Sequence, residues 1–150
     1  MARLREASAP ADFDMVRSLF AEYARSVDEP CCFAGFEREL AELPRGYLVL
    51  FLSYEEAVPA GCVGVREVDR GTAEMKRLYV RPAWRGRGLG RTLAEAAIGA
   101  ARAAGYGRIV LDSLPKMREA RALYRSLDFR EAAPYLAQPT PAADCFERRL

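Results

Sequence analysis

The stretch that most constrains this chain runs from Glu74 to Ala104. An apolar, strand-like run to Val80 leads through Arg81-Pro82-Ala83-Trp84-Arg85-Gly86-Arg87-Gly88-Leu89-Gly90-Arg91 into an alanine-rich segment, with Gly105 behind it. Leu89, Leu93, Ala97, Ala100 and Ala104 share one face at helical spacing, which predicts a helix over Gly88 to Ala104. Glycine directly after such a pattern is a stop signal, because it enters the left-handed conformation at least cost. A strand that feeds a helix through a glycine-rich turn points backbone N–H groups outward at the positive end of the helix dipole. The missing Cβ atoms also let anionic oxygens approach. The turn is therefore a candidate pyrophosphate cradle. Arg77, Arg81, Arg85, Arg87 and Arg91 crowd around it, as a single polyanionic ligand would require.

The other elements follow from periodicity. Pro10 sits where a first helical turn tolerates it, and Phe13, Val16, Phe20, Tyr23 and Val27 predict a helix from about Ala11 to Ser26. Phe33, Phe36, Leu40 and Leu43 predict a shorter helix stopped by Pro44, and Tyr47 to Ser53 reads as a strand. Pro59 to Val68 and Ala73 to Val80 are apolar runs joined by Asp69-Arg70-Gly71-Thr72, an antiparallel hairpin. Arg108 to Ser113 reads as a strand and Lys116 to Ser126 as a helix. Pro134 to Ala143 reads as a loop and Cys145 to Arg149 as a last strand. The order is mixed α/β, and 150 residues at 51% apolar suit one domain.

Composition narrows the partners. The 23 basic and 21 acidic residues nearly cancel to +2, so no overall positive field favours nucleic acid. Cys31, Cys32, Cys62 and Cys145 show no metal-ligand spacing, and with no histidine in the chain a metal site is not expected. These cysteines read as reduced packing thiols. The start of the chain, Met1 to Glu6, has no long apolar segment, and no run approaches the roughly eighteen apolar residues of a membrane span. A cytoplasmic location and no membrane partner are the expectations.

Two phosphate motifs fail against the turn. There is no G-K-[ST] of a P-loop, and Gly86, Gly88 and Gly90 do not give G-x-G-x-x-G. Arg85 to Gly90 does match R/Q-x-x-G-x-G/A, and in this it resembles the acyl-CoA loop of the GNAT superfamily of N-acyltransferases. Tyr124-Arg125-Ser126-Leu127-Asp128-Phe129 is similar to that family's Y-x-x-x-G-F phrase, one strand and one helix further on. The resemblance covers about Leu4 to Leu150. It implies a mostly antiparallel mixed sheet, splayed at the acyl-CoA site, with helices on both faces.

Carried over by position, the resemblance implies acetyl-CoA as co-substrate. The backbone from Arg85 through Gly86, Arg87, Gly88, Leu89 and Gly90 to Arg91 would hold its pyrophosphate, with the arginine side chains neutralising charge. Leu78, Tyr79 and Val80 would line the thioester and pantetheine arm, with the Leu78 N–H as oxyanion donor. Tyr124 resembles the residue that donates a proton or hydrogen bond to the CoA sulfur. Glu74 resembles the strand glutamate that serves as general base. Alternation places Glu74, Lys76 and Leu78 on one face, so that Glu74 reaches the amine if that face lines the cleft, and Lys76 then tunes Glu74 or binds a substrate carboxylate. The alternative for Glu74 is a solvated salt pair, and for Tyr124 a core position beside Leu123 and Leu127. Without imidazole the usual Ser/His and Cys/His pairs are excluded, which favours direct transfer in a ternary complex over an acyl-enzyme.

Two departures stand out. Asp128 occupies the glycine of Y-x-x-x-G-F, where a left-handed residue is expected. Met117 stands where many members carry a cofactor-contacting asparagine, and it reads as core. The resemblance places the acceptor between Arg25 to Phe36 and Pro134 to Phe146, with Phe33, Phe36, Tyr135, Arg25 and Arg38. That surface suits a small-molecule amine that also bears a carboxylate or phosphate. Protein or peptide N-acetylation and a non-catalytic acyl-CoA sensor are the alternatives, and a homodimer is the assembly the resemblance implies.

Overall fold

The computed structural model describes residues 2–29 and 33–150, so the adjacent Cys31 and Cys32 lie outside the described residues. The elements in chain order are β1 (Ala2–Glu6), α1 (Pro10–Val27), α2 (Phe36–Glu42), β2 (Val49–Glu55), β3 (Val58–Asp69) and β4 (Thr72–Val80). After them come α3 (Leu89–Ala103), β5 (Arg108–Ser113), α4 (Arg118–Ser126), β6 (Arg130–Ala132) and β7 (Asp144–Arg149). The strands form one sheet in the order β1-β2-β3-β4-β5-β7-β6. Every neighbouring pair is antiparallel except β4 and β5.

The helix patterns explain the layers. Leu93, Ala94, Ala97, Ile98 and Ala101 turn the buried stripe of α3 onto Val63, Val65, Ala73, Met75, Ile109 and Leu111, and α4 closes the same face with Tyr124. The opposite face is covered by α1, through Val16, Leu19 and Phe20 against Leu50, Leu52, Cys62 and Tyr79, with Phe36 and Leu40 of α2 at its margin. Leu93 is fully buried, and truncating such a leucine to alanine costs about 2–5 kcal/mol. Helices therefore lie on both faces of the sheet. Among the described residues no helix is long and apolar enough to cross a membrane.

Most boundaries fall within a few residues of the periodicity reading. Two strands are additional. All five residues of β1 are exposed and β6 has only three. Backbone pairing to β2 and to β7 defines them, and neither buries an apolar face. Strand β2 starts at Val49 instead of Tyr47, α2 at Phe36 instead of Phe33, and α4 at Arg118 instead of Lys116.

One irregularity changes which residues face which layer. The β3–β4 register slips between Cys62↔Tyr79 and Gly64↔Lys76, and Arg77 in the inserted position has φ 61°. This is a β-bulge, and it reverses the alternation beyond it. Leu78 and Val80 therefore join Ala73 and Met75 on the α3 side, while Glu74 and Lys76 share the α1 side with Tyr79. The expectation that Glu74, Lys76 and Leu78 share a face is corrected by this one residue.

Candidate active site

Strands β4 and β5 pair only over Thr72↔Arg108, Ala73↔Ile109 and Glu74↔Val110. Beyond Glu74 the strands part, and the edge of β4 that would have met β5 is open. The Arg81 N–H donates to Ala60 O at 2.8 Å toward β3. By alternation the Leu78 and Val80 N–H groups face the opening. Two clefts meet there.

The larger cleft, about 640 Å³, lies between the C-terminal end of β4, the end of α1, the turn before α3 and the start of α4. Its walls include Tyr23, Val27, Leu78, Tyr79, Val80, Arg85, Gly86, Gly88, Leu89, Gly90, Met117, Leu123 and Tyr124. Gly86 and Gly88 have φ 80° and 81°, so the turn adopts a left-handed path open to glycine. The first amide of this helix with a backbone acceptor is Thr92, to Gly88 O at 3.1 Å. Among the described residues the amides from Gly86 to Arg91 have no backbone acceptor. A run of unpaired donors at a helix N-terminus, open to a cleft of this size, fits a pyrophosphate.

The arginines of this stretch divide. Arg85 borders the cleft, and its Nε donates to Val80 O at 3.0 Å. Arg87 lies over the Trp84 ring at 4.9 Å, and Arg91 Nη2 donates to Ser126 Oγ at 2.6 Å. Neither Arg87 nor Arg91 lines the cleft. Lys116 was not singled out by sequence reasoning. It ties the loop after β5 to the end of α1, donating to Val27 O at 2.6 Å and pairing with Glu29 at 3.1 Å.

Tyr124 is buried yet lines both clefts, and its hydroxyl has no hydrogen-bond partner among the described residues. Burial pushes its pKa well above the usual tyrosine value, with Tyr23 and Asp112 adding to the effect, so it stands as a neutral O–H donor. Its backbone is fixed by a Schellman motif. Asp128 has φ 68° and donates its N–H to Arg125 O at 3.1 Å, and the Phe129 N–H donates to Tyr124 O at 3.0 Å. Met117 lines both clefts as well, so the reading of it as core is corrected.

The smaller cleft, about 50 Å³, lies between the parted strands and shares Tyr23, Val27, Leu78, Met117 and Tyr124 with the larger one. Lys76, Arg77, Asp112, Phe33, Thr140 and Ala143 also border it. Glu74 borders neither cleft. It is 1% exposed, pairs with Arg66 Nε at 2.7 Å and accepts a short hydrogen bond from the Tyr135 hydroxyl. Phe33 and Phe36 stack on the Arg77 guanidinium at 4.6 and 5.2 Å. Arg25 and Arg38 border neither cleft, and Arg38 pairs with Glu42 on the surface. Buried Cys62 donates its thiol to Arg77 O at 3.5 Å, and burial raises its pKa, so it is a packing thiol. Asp112 was not anticipated. Its signal in the sequence is a lone carboxylate in the apolar run Ile109-Val110-Leu111.

A family model described as acetyltransferase (GNAT) family matches residues 13–129. An uncharacterised N-acetyltransferase of Schizosaccharomyces pombe is 36% identical over 138 residues, covering 88% of this chain and 85% of the relative. The uncharacterised N-acetyltransferase YjgM of Escherichia coli K12 is 32% identical over 157 residues, covering 100% of this chain and 92% of the relative. Among solved structures, an acetyltransferase from Streptococcus agalactiae superposes with a TM-score of 0.80 at 18% identity, over 99% of this chain and 98% of that one. The structure of yncA from Salmonella typhimurium with its cofactor acetyl-CoA superposes with a TM-score of 0.74 at 22% identity, over 99% of this chain and 92% of that one. At these identities the two superpositions speak for the fold.

Proposed function

The chain belongs to the acetyltransferase (GNAT) family, and from that premise we propose that it moves the acetyl group of acetyl-CoA onto the primary amine of a small molecule, by direct attack in a ternary complex. The observation that carries this reading is the meeting of two clefts at Leu78 and Tyr124. The larger has the volume and the unpaired glycine-turn amides for CoA, and the smaller shares Leu78 and Tyr124 with it from between the strands. Cofactor and acceptor then approach from two sides without a covalent enzyme intermediate.

Acetyl-CoA, when bound, supplies the thioester whose acyl carbon the amine attacks. The Leu78 N–H, which faces the opening by strand alternation, is the donor proposed to stabilise negative charge developing on the carbonyl oxygen. As the C–S bond breaks, the Tyr124 O–H gives its proton to the departing sulfur and regains one from solvent, while the nitrogen sheds a proton to solvent as the amide forms, so the proton count is unchanged. The amine must arrive neutral, and Glu74, with its oxygens held by Arg66 and Tyr135, lines neither cleft.

The test is thiol release by Tyr124→Phe and Glu74→Gln, with acetyl-CoA affinity measured by calorimetry. Tyr124→Phe is expected to lower kcat at least about tenfold while acetyl-CoA binds as before. Glu74→Gln is expected to lower Tm by loosening the Arg66 pair. Unchanged kcat in Tyr124→Phe would remove that residue from the chemistry, and a wild-type protein that binds no acetyl-CoA would sink the reading.

A further inference from the structure

Lys76 lines the smaller cleft, is partly buried, and makes no hydrogen bond or ion pair among the described residues. The nearby anions are engaged elsewhere. Glu74 is held by Arg66 and Tyr135, and Glu39 by Arg77 and Tyr47. Arg77 borders the same cleft, but its charge is committed to Glu39 at 2.7 Å. Burial pulls the Lys76 pKa below the ordinary lysine value, and Arg77 and Arg66 push the same way against Glu74 and Asp112. A cation left in that position gains from an anion that enters from outside.

Across the opening stands Asp112. Carrying the parallel register two residues past Glu74↔Val110 sets Lys76 opposite Asp112, where the strands have parted, and no ion pair joins them. One Asp112 oxygen accepts from Thr140 Oγ1 at 2.7 Å, and the other is free among the described residues. Asp112 and Tyr124 both line the smaller cleft, and the Asp112 charge adds to the upward push on the Tyr124 pKa. Charges of opposite sign thus face each other without touching. The cleft that both side chains line, about 50 Å³, holds a head group of a few heavy atoms.

We infer that the acceptor is a small zwitterion, an amine carrying its own carboxylate, held with its ammonium against Asp112 and its carboxylate against Lys76. This rests on the acetyl-transfer reading and adds the acceptor's chemistry to it. Asp112 sets the nitrogen beside Tyr124 and, through the oxygen that Thr140 leaves open, takes its proton so that the amine attacks neutral, and Lys76 selects for the anion.

The experiment measures thiol release from acetyl-CoA with α-amino acids, with the same amino acids as carboxamides, and with the matching amines that lack the carboxylate. Wild type is compared with Lys76→Met, with the charge-keeping Lys76→Arg, and with Asp112→Asn. Acetyl-CoA affinity by calorimetry checks that each variant is folded. Wild type is expected to prefer carboxylates over carboxamides by at least about tenfold in kcat/KM, the worth of one charge-assisted hydrogen bond. Lys76→Met is expected to lose that preference through KM with acetyl-CoA affinity unchanged, and Lys76→Arg to retain most of it. Asp112→Asn is expected to weaken all the amines together. Equal rates on carboxylates and carboxamides, an unaltered preference in Lys76→Met, or release to none of these amines while acetyl-CoA is bound would each overturn the inference and leave the acetyl-transfer reading standing. Failure of the wild type to bind acetyl-CoA would overturn both.

Discussion

Phe129 holds Tyr124 twice: its amide donates to the Tyr124 carbonyl at 3.0 Å, and its ring packs edge-on against the tyrosine ring with centroids 5.9 Å apart. The intervening turn runs through Asp128 at φ 68°. Y-x-x-x-G-F is thus a helix-ending motif with its hydrophobic contact, and it fixes the orientation of the proposed proton donor from behind.

Asp128 is exposed and strained where glycine is not. Asp128→Gly is expected to raise stability by about 0.5–1 kcal/mol, read as a higher denaturant midpoint with an unchanged m-value. The acetyl-CoA affinity should stay as it is, since the side chain borders neither cleft. A fall in stability would mean that the aspartate side chain contributes more than its backbone costs.

The cradle and its helix were legible because both are local: glycine spacing, an apolar stripe and a stop residue act over a few turns of chain. The fate of Glu74 was not. A single residue, Arg77, enters the left-handed region and reverses the strand's faces, and nothing in Lys76-Arg77-Leu78 announces a bulge when arginine, unlike glycine, has no preference for positive φ. The facing of Lys76 and Asp112 was hidden for a related reason. It arises from where β4 and β5 stop pairing, a property of two strands separated by a whole helix. The edge strands β1 and β6 are short and bury no apolar face, so only their pairing defines them.

The Arg77–Glu39 pair that accompanies the bulge is nearly buried, with side chains 6% and 13% exposed. Burial alone would raise the Glu39 pKa, but the Arg77 hydrogen bonds and charge outweigh it, with Tyr47 helping, and hold it below the usual glutamate value. Glu39→Gln leaves Arg77 without its counter-charge and is expected to cost about 3–5 kcal/mol. Because the folded-state pKa is depressed, the pair's contribution is present above the ordinary glutamate range and is lost as pH falls through the folded value. The gap in unfolding free energy between wild type and Glu39→Gln should therefore narrow on acidification, and a gap independent of pH would show that packing, and not charge, is responsible.

Asp12 gives a second acid-sensitive point, at the start of α1. The Ser8 and Ala9 N–H groups donate to its Oδ2 at 2.9 and 3.0 Å, and Arg5 Nε donates to Oδ1 at 3.0 Å. The Ser8 amide, then Arg5 and the Ala9 amide, lower its pKa to about 2. The sign is again that of a depressed acid: stabilisation is complete above the ordinary aspartate range and vanishes as pH falls through about 2. Asp12→Asn is expected to lower Tm near neutrality and to converge on wild type near the bottom of that window. A Tm difference that persists there would assign the effect to the amide's geometry.

The glycine turn separates two effects that a single variant would confuse. At Gly88 (φ +81°) a new Cβ would meet nothing within 4 Å, so a substitution there acts through backbone strain. Gly99, within α3, also has open space but ordinary helical geometry. Gly88→Val is expected to cost about 1–2 kcal/mol of stability. It should also weaken acetyl-CoA at least about tenfold, because relieving the strain swings the turn amides away from a shared point. Gly99→Ala is expected to gain about 0.5–1 kcal/mol with acetyl-CoA affinity unchanged. Calorimetric titration and urea unfolding of both variants decide the matter. If Gly88→Val loses stability but binds acetyl-CoA as wild type does, the amides of this turn are not what holds the pyrophosphate.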